Sequence, residues 1–362
     1  MNKLVFFCPF IYDGGLEKTL KIYSDYFSKF YNVTIITNSK YKSYIKFSKK
    51  IKIINPSNKY FYNNRYLNNI YCVYLIFKNF TIKDKIFSIQ DHIFLLLINF
   101  FFLKKFKIII RTSTAITNSK NDYENKNLKK FKLKKILNFI VYRIADLIIT
   151  FSNDNKKYLY KITKKKNIFV IYNYFKINSK IKRIHNKKTF NIFFIGRLVD
   201  DKNPIFFLNS LKKIYKTYNI KSHIVGKGEL ASSIIRILKE NPGLGYYYGF
   251  KLNPFKKFLK KIDIFCVTSK YDGTPNVLGE ALSYGIPTLA PNKVGLSNLI
   301  LDNGNYGYLY KPDSRSSFNK KIIQMIYNYK LALKKAEKGR LGLNRFDKIK
   351  TLKKLKLLID KL

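Results

Sequence analysis

The sequence predicts an α/β fold with parallel sheets. Short apolar runs rich in Ile, Val and Phe alternate with segments whose apolar residues recur at helical spacing. Glycine-containing turns separate several of these runs from the helix that follows, and the whole pattern restarts after the polar, basic stretch 178–188. We therefore expect two Rossmann-like domains, residues 1–177 and 189–344, joined by the linker 178–188 and followed by a C-terminal helix at 345–362.

The first domain is predicted to open with a buried strand, Leu4–Cys8, and a glycine turn. Gly14 and Gly15 separate this strand from a helix that carries Leu16, Leu20, Tyr23 and Phe27 on one face. Two glycines let a backbone approach a ligand closely, which favours a binding loop. Further strands are predicted at Asn32–Thr37, Ile51–Ile54, Ile86–Gln90, Lys107–Ile110 and Phe169–Tyr172.

His92 follows the predicted strand Ile86–Gln90 directly after Asp91. Ligands of open parallel sheets bind outside the carboxyl ends of the strands. We expect His92 to contact substrate there, and a purely structural role is the alternative.

The second domain is predicted to begin with the strand Phe190–Ile195. Gly196 and Arg197 follow it, and Lys202 comes five residues after Arg197. A second strand, Ser222–Val225, runs into Gly226. Because the carboxyl ends of parallel strands meet at one edge of a sheet, these groups are expected at the same edge.

The stretch 263–290 organises the rest of the chain. It is predicted as a strand at Ile264–Val267, a loop, a helix and a short strand. Thr274 is expected to cap the helix and Pro275 to occupy its first position, where a missing N–H costs nothing.

The start of this helix is predicted to bind phosphate. The backbone N–H groups of Asn276, Val277 and Leu278 point out of the helix start, where the helix dipole favours an anion. The carboxylates of Asp272 and Glu280 bracket the site. The alternative is an ordinary βαβ unit with a capped helix.

This stretch resembles the nucleotide-sugar site of retaining glycosyltransferases of family 4. Asp272 and Glu280 have the family's spacing of acid, seven residues and Glu, and Gly273, Pro275 and Asn276 stand where the family has Gly, Pro and Asn. Gly196-Arg197-Leu198 with Lys202-Asn203 resembles a second family signature. The departure is Asp272, which is one methylene shorter than the usual Glu.

The resemblance implies the GT-B architecture, with two Rossmann-like domains facing a cleft and a final helix that crosses back to the first domain. It implies that Arg197 and Lys202 hold the donor diphosphate, Asp272 the sugar hydroxyls and Glu280 the ribose. It also places Gly14, Gly15, Gly196, Gly226, Gly273, Thr274, Pro275, Asn276, Val277 and Leu278 around the donor.

The implied function is retaining transfer of a sugar from a nucleotide sugar, expected to be a UDP-sugar, to a glycan or lipid-linked acceptor in cell-surface polysaccharide synthesis. The nucleotide sugar is a substrate, and no cofactor is expected. The chain contains no Asp-x-Asp motif, so no metal site is expected. An epimerase would not keep the two-acid spacing, and a phosphorylase would carry a pyridoxal lysine motif, which is not found here.

The charge balance points to anionic surfaces. The chain of 362 residues has 71 basic and 21 acidic residues, a net charge of +50. The segment Lys120–Ile140 is basic and amphipathic, which favours docking on the inner membrane surface from the cytoplasm. A basic protein that binds nucleic acid or a membrane without transferase activity is the alternative. No nucleic-acid module is recognisable and the lysines are spread along the chain, so specific nucleic-acid binding is not expected.

Two further features concern burial and compartment. Ile93–Leu103 is the longest apolar segment and is too short to span a bilayer, which needs about 20 residues. We expect a buried helix there, with a membrane-dipping helix as the alternative. The three cysteines, Cys8, Cys72 and Cys266, lack paired spacing, which fits a reducing, cytoplasmic compartment.

Overall fold

The computed structural model describes residues 3–11, 15–39, 45–103, 105–112, 139–179 and 188–362. The chain forms two compact units. Unit 1 comprises Met1–Asn173 together with Ile349–Leu362, and unit 2 comprises Tyr174–Lys348. Within the stretch 178–188, where a linker is predicted, residues 180–187 lie outside the described residues.

Unit 1 is built on a parallel sheet of seven strands in the order β3-β2-β1-β4-β5-β6-β7. The strands are β1 (Lys3–Phe7), β2 (Asn32–Ile36), β3 (Lys52–Ile54), β4 (Lys85–Ser88), β5 (Lys107–Arg111), β6 (Leu147–Thr150) and β7 (Ile168–Val170). The helices of the first 173 residues are α1 (Gly15–Phe27), α2 (Lys59–Tyr62), α3 (Arg65–Asn79), α4 (His92–Phe101) and α5 (Asn153–Thr163), and residues 139–144 are also helical.

The sheet of unit 1 is covered on both faces because successive strand side chains point to opposite sides. In β1, Leu4 and Phe6 pack in one cluster with α1, and Val5 and Phe7 pack in the other with α3 and α4. Near-continuous apolar strands are what such a doubly covered sheet requires.

The last helix of the chain belongs to the α1 face of unit 1. Leu352, Leu355 and Ile359 are buried in the same cluster as β1 and α1. This helix, Lys348–Asp360, is fastened at its end by the Tyr31 hydroxyl, which bonds the Asp360 carboxylate.

Unit 2 contains a parallel sheet of six strands in the order β10-β9-β8-β11-β12-β13. The strands are β8 (Phe190–Ile195), β9 (Ile220–Val225), β10 (Gly245–Tyr247), β11 (Ile264–Cys266), β12 (Thr288–Pro291) and β13 (Tyr308–Tyr310). The helices of this half are α6 (Pro204–Leu211), α7 (Ala231–Glu240), α8 (Pro254–Phe258), α9 (Asn276–Ser283), α10 (Ser297–Ile300), α11 (Arg315–Tyr327) and α12 (Tyr329–Gly342), and the helix Lys348–Asp360 described above is α13.

The prediction of an α/β fold with two parallel-sheet, Rossmann-like units is confirmed. Two local predictions are wrong. Helix α9 begins at Asn276, so Pro275 stands at the cap and the Thr274 side chain does not cap the helix. Helix α4 is not uniformly buried: Leu95 and Leu96 enter the core, whereas the end of the apolar segment 93–103 is exposed because it runs past the edge of the sheet.

A buried histidine ties the strands of unit 2 together. His223 on β9 stacks on Phe193 of β8 with ring centroids 4.4 Å apart. Its Nδ1 lies 2.9 Å from the Tyr248 hydroxyl and its Nε2 lies 2.9 Å from Asn191 Oδ1. Asn191 in turn donates from its backbone N–H to the buried Asp263 carboxylate at 2.9 Å. This network satisfies the ring inside the core, which is a structural role.

The first prediction concerns the docking of α13. Leu355→Ala should lower the free energy of unfolding of unit 1 by about 2–5 kcal/mol, because it leaves a cavity between α13 and the sheet. Native-state hydrogen exchange of the β1 amides measures this quantity. Leu357→Ala on the same helix is the control, since that side chain is 61% exposed and should cost less than about 0.5 kcal/mol. Equal effects of the two variants would contradict the docking.

The second prediction concerns pH. Burial, aided by Lys261 and Lys221, lowers the pKa of His223 from 6.5 to about 3. In the unfolded chain this histidine takes up a proton below pH 6.5, while the folded protein resists it. Stability is therefore lost as the pH falls from about 6.5 toward 3, by about 2 kcal/mol between pH 7 and pH 5.

His223→Gln removes this titration, so the variant should be less stable than the parent at pH 7 but should lose less on acidification. Chemical unfolding at pH 7 and pH 5 measures both quantities. His92 contributes separately, since burial lowers its pKa to about 4. A parent and a variant with the same pH dependence would refute the role of His223.

Candidate functional site

The loops at the carboxyl edge of the unit 2 sheet hold most of the predicted site residues. β8 is flanked by β9 and β11. The loops that follow these three strands therefore lie side by side, and they carry Arg197, Gly226 and Asp272 respectively. The parallel topology alone brings together residues that are up to 75 positions apart in sequence, since 272 − 197 = 75.

The loops after β8 and β9 are joined directly through their backbones. The Gly196 N–H donates to Val225 O at 3.0 Å, and the Leu198 N–H donates to Lys227 O at 2.9 Å. A Cβ at Gly226 would lie 1.8 Å from the Gly196 carbonyl oxygen. Gly226 is therefore required for the two backbones to approach, which explains its place in the pattern without a ligand contact.

The loop after β11 is fastened to the same place. The buried Thr268 hydroxyl is 3.0 Å from both the Lys202 and the Asn203 carbonyl oxygens. The Lys270 N–H donates to Asp201 O at 2.9 Å, and the Lys270 ammonium lies 2.8 Å from the Asp200 carboxylate. We call these contacts the loop clamp. The clamp holds the backbone of the turn at 200–203 in place without using the side chains of Lys202 or Asp272.

Lys202 and Asp272 form an ion pair across the clamp. Lys202 Nζ lies 2.5 Å from Asp272 Oδ2, and both side chains are largely buried. A charged pair at this depth needs a fixed geometry to offset the loss of hydration. Lys202 obtains it from the turn Asp200–Lys202, after which Asn203 adopts the left-handed conformation and Pro204 starts α6.

The loop that carries Asp272 is packed from the other side by Gly295. This glycine has φ +54°, and a Cβ there would lie 2.6 Å from Asp272 O and 2.7 Å from Gly273 O. Gly273 itself is buried. The position of the Asp272 carboxylate therefore depends on a close backbone contact with the loop after β12.

The start of α9 differs from a simple phosphate cradle. The Asn276 N–H donates to Thr274 O at 2.8 Å, and the Leu278 N–H donates to Pro275 O at 2.9 Å. Two of the three predicted phosphate donors therefore already have local acceptors, and Leu278 is buried. Val277 is the partly exposed residue between them.

Helix α9 places Glu280 on a well-supported surface. Gly279 packs against Phe175 so closely that a Cβ would lie 2.2 Å from its ring. Asn178 donates from its side chain to Ser283 Oγ at 2.8 Å, and that hydroxyl donates to Glu280 O at 2.7 Å. Glu280 is partly exposed and lies on a helix that is held by contacts at Gly279 and Ser283.

Arg197 is the exposed cation of the site. Its side chain has no hydrogen bond or ion pair with any residue that the structure describes. Lys202 and Asp272 are thus brought into contact, whereas Arg197, which is on the same loop as Lys202, is exposed to solvent.

The remaining predicted residues belong to unit 1. Gly14 lies outside the described residues, and Gly15 begins α1. His92 begins α4 and is partly buried, with its ring 5.9 Å from that of Tyr142 and its Nδ1 without a partner in the described part of the chain. Burial lowers its pKa to about 4, so the ring is neutral at pH 7.

Sequence reasoning missed the residues that hold the site in place. Thr268, Lys270 and Gly295 position the loops without carrying the expected chemistry. Their signal was weak: a threonine and a lysine after a strand are common, and the contact of Gly295 with the 272–273 backbone is visible only in three dimensions.

The arrangement suits the binding of a phosphorylated ligand. Two cations on the loop after β8 and a neighbouring helix start can stabilise negative charge, and two carboxylates can accept hydrogen bonds from hydroxyl groups. Within the described ranges, no group of three or more His, Cys, Asp or Glu side chains is placed to hold a metal ion. No helix in the same ranges combines the length and hydrophobicity needed to cross a membrane.

Comparison with known proteins gives consistent results. The chain is 29% identical over 265 residues to an uncharacterized glycosyltransferase of Methanocaldococcus jannaschii, covering 60% of this chain and 64% of that protein. It is 23% identical over 327 residues to an α-1,4-N-acetyl-D-galactosaminyltransferase of Campylobacter jejuni that is named for a diphospho-undecaprenol-linked substrate, covering 89% of this chain and 88% of that protein.

Among solved structures, Anabaena HepE in complex with UDP-glucose matches 99% of this chain and 100% of its own with a TM-score of 0.76 at 16% identity, which supports the GT-B fold. The family described as glycosyl transferases group 1 matches residues 175–341, the region that contains the loop clamp and α9. Residues 175–341 are thus similar to the glycosyl transferases group 1 family, and this match spans 167 of the 362 residues of the chain.

Proposed function

We propose that the protein is a retaining glycosyltransferase that moves a sugar from a UDP-sugar to a lipid-linked acceptor in polysaccharide synthesis. The observation that carries the proposal is the Lys202–Asp272 pair, which the loop clamp holds at the carboxyl edge of the sheet. A cation and a carboxylate in contact match the two ends of a sugar phosphate, one anionic and one rich in hydroxyl groups.

The two members of the pair have complementary tasks in this proposal. Cleavage of the glycosidic bond leaves negative charge on the diphosphate, and Lys202 and Arg197 stabilise that charge. Asp272 accepts hydrogen bonds from the sugar hydroxyls, and Glu280 accepts them from the ribose. Binding of the donor thus gives Lys202 an anionic partner, the diphosphate, and gives Asp272 hydrogen-bond donors, the sugar hydroxyls. The shorter Asp272 side chain keeps its carboxylate within reach of Lys202.

Several observations support the details. HepE is a structural neighbour whose complex contains UDP-glucose, and the Campylobacter relative is named for a diphospho-undecaprenol substrate. A lipid-linked acceptor would bring the enzyme to the membrane, and we place the reaction on the cytosolic face. With two side-chain cations facing the diphosphate, the proposed transfer requires no metal ion. His92, neutral at pH 7, would contact substrate from unit 1.

The retaining outcome follows from the resemblance of the site to family 4 enzymes. Proton NMR of the first product formed from an α-linked UDP-sugar tests it, because the coupling of the anomeric proton reports the configuration. An α-linked product is expected, and a β-linked product would refute the retaining mechanism.

Lys202→Ala and Glu280→Ala should each lower donor hydrolysis or transfer by about 10²–10³-fold, since each removes a charged contact to the donor. Lys212→Ala and Glu240→Ala are the controls, because the side chains of Lys212, directly after α6, and of Glu240, on α7, are both exposed. Turnover of a panel of UDP-sugars and the unfolding temperature of each variant are measured together. Near-normal activity of both site variants, with the fold intact, would refute the assignment.

Gly295→Ala should weaken UDP binding, because the added methyl group displaces the 272–273 backbone and with it the Asp272 carboxylate. Gly243→Ala is the matched control: it also has positive φ, +85°, but its Cβ would meet only the end of the Lys221 side chain at 3.6 Å. Both variants lose some stability through the strained conformation. Thermal stabilisation by UDP should shrink only in Gly295→Ala, and equal shifts in both variants would argue against this contact.

A further inference from the structure

A cluster of exposed apolar side chains lies at the end of α4 in unit 1. Phe100, Phe101, Phe102 and Leu103 are consecutive, and the last three are 77%, 62% and 93% exposed. We call these four residues the aromatic tip. Single exposed apolar residues are ordinary, but four in succession at one turn form an apolar patch of the kind that marks an interaction surface.

The aromatic tip is held in a defined conformation. The buried Asn99 side chain donates to Phe106 O at 3.0 Å and accepts from the Phe106 N–H at 2.8 Å. The Phe102 N–H donates to Ile98 O at 3.0 Å, and the Leu103 N–H donates to Phe100 O at 3.1 Å. The turn is therefore closed at both ends, and it presents its side chains to solvent.

Leucine is an energetically unfavourable residue at position 103 of this turn. It has φ +53°, a conformation that Gly or Asn adopts more readily than Leu. Its side chain is almost completely exposed, so the fold gains no burial from it. Neither backbone preference nor core packing favours leucine here, which points to a contact outside the chain.

The aromatic tip continues into a stripe on the neighbouring helix α3. Leu67, Ile70 and Tyr74 are exposed at helical spacing and share one face. Phe77, one turn further on, packs against Phe102 with ring centroids 5.1 Å apart. The stripe from residue 67 to residue 77 is about 15 Å long at 1.5 Å per residue. Tip and stripe form one apolar surface.

Lysines flank this surface. Lys105 Nζ lies 5.4 Å from the Phe77 ring centroid, and Lys78 Nζ lies 5.9 Å from that of Tyr74. The two acidic residues between positions 60 and 112 are otherwise engaged. Asp84 accepts from the Thr81 N–H at 2.8 Å, and Asp91 is paired with Arg65. The edge of the apolar surface is therefore cationic.

We propose that the aromatic tip and the α3 stripe dock on an anionic lipid bilayer. The Phe and Leu side chains enter the boundary between headgroups and acyl chains, and Lys78 and Lys105 bind the anionic headgroups. A second copy of this chain fits less well, because it would oppose one cationic rim with another in a protein of net charge +50. At 10 residues, α4 is too short to span the bilayer, so the tip inserts without crossing it.

This docking surface is distinct from the segment Lys120–Ile140, of which residues 120–138 lie outside the described residues. The proposal goes beyond glycosyl transfer and does not depend on it. Binding to vesicles is measured without turnover, so docking and transfer can each fail while the other holds.

Co-sedimentation of the full chain with vesicles tests the proposal. Vesicles of equal parts phosphatidylglycerol and phosphatidylcholine should bind the protein, and vesicles of phosphatidylcholine alone should bind it far less. Phe101→Ser and Leu103→Asn should each lower the partition coefficient about tenfold or more, since each removes a large apolar group from the inserted surface. Leu357→Ser, on the opposite face of unit 1 and 61% exposed, is the matched control and should bind as the parent does.

Leu103→Asn separates docking from folding. Because Asn tolerates positive φ, this variant should be at least as stable as the parent while it binds vesicles less. A merely structural role for Leu103 would give the reverse result. Lys78→Gln and Lys105→Gln should lower binding to the anionic vesicles only, whereas Lys353→Gln on α13 should leave it unchanged.

A direct measure of insertion is available because the chain contains no tryptophan. Phe102→Trp introduces a single fluorophore at the tip, whose emission should shift to the blue and be quenched by brominated lipids when anionic vesicles are added. Leu357→Trp should show neither effect. Absence of vesicle binding by the parent, equal losses in the tip and control variants, or a tip-dependent dimer in solution without vesicle binding would each overturn the proposal.

Discussion

The Thr268 hydroxyl, within hydrogen-bonding distance of two consecutive carbonyl oxygens in the turn after β8, is the contact on which the arrangement of the site depends. The hydroxyl has one proton, so the two distances of 3.0 Å describe a shared contact that fixes the turn rather than two full hydrogen bonds. With the backbone bond from Lys270 to Asp201, it converts two separate loops into one rigid piece. The Lys202–Asp272 pair can then form at low entropic cost, because the backbone on each side is already fixed.

The packing of unit 2 explains why the candidate site lies at the carboxyl edge of the sheet and not on its faces. In the core of unit 2, aromatic rings stack around the buried His223. Both ring nitrogens of His223 have hydrogen-bond partners. The carboxyl edge is different: Arg197 is exposed there, and Val277 and Glu280 of α9 are partly exposed. The polar groups around His223 are paired within the core, whereas Arg197 at the edge is exposed and can bind a ligand. A parallel sheet produces this contrast because its strand ends, and not its faces, are left uncovered.

The sequence predicted the fold class and the position of Arg197, Lys202 and Asp272 in loops at one edge of the sheet, since both follow from strand order. It failed at the start of α9, where cap preferences favoured Thr274 and the structure places the cap and the helix start one residue later. It also failed for the apolar segment 93–103, because hydrophobicity alone cannot distinguish a core helix from one that ends in solvent. Long-range contacts decide such cases: Gly295 against Asp272, and Asn99 against Phe106, join residues that local patterns treat independently.

Helix α4 carries both His92, which is proposed to contact substrate, and part of the aromatic tip, which is proposed to dock on a bilayer. It begins with His92 at the carboxyl edge of the sheet and ends in the aromatic tip beyond the opposite edge, about 15 Å away at 1.5 Å per residue. Its buried side, Leu95, Leu96 and Asn99, fixes the helix on the sheet, so the two ends cannot move independently. The α3 stripe runs from Leu67, near the Arg65–Asp91 pair at the start of α4, to Phe77 beside the tip, so docking through both would lay α4 along the bilayer surface and hold His92 at a fixed distance from the tip.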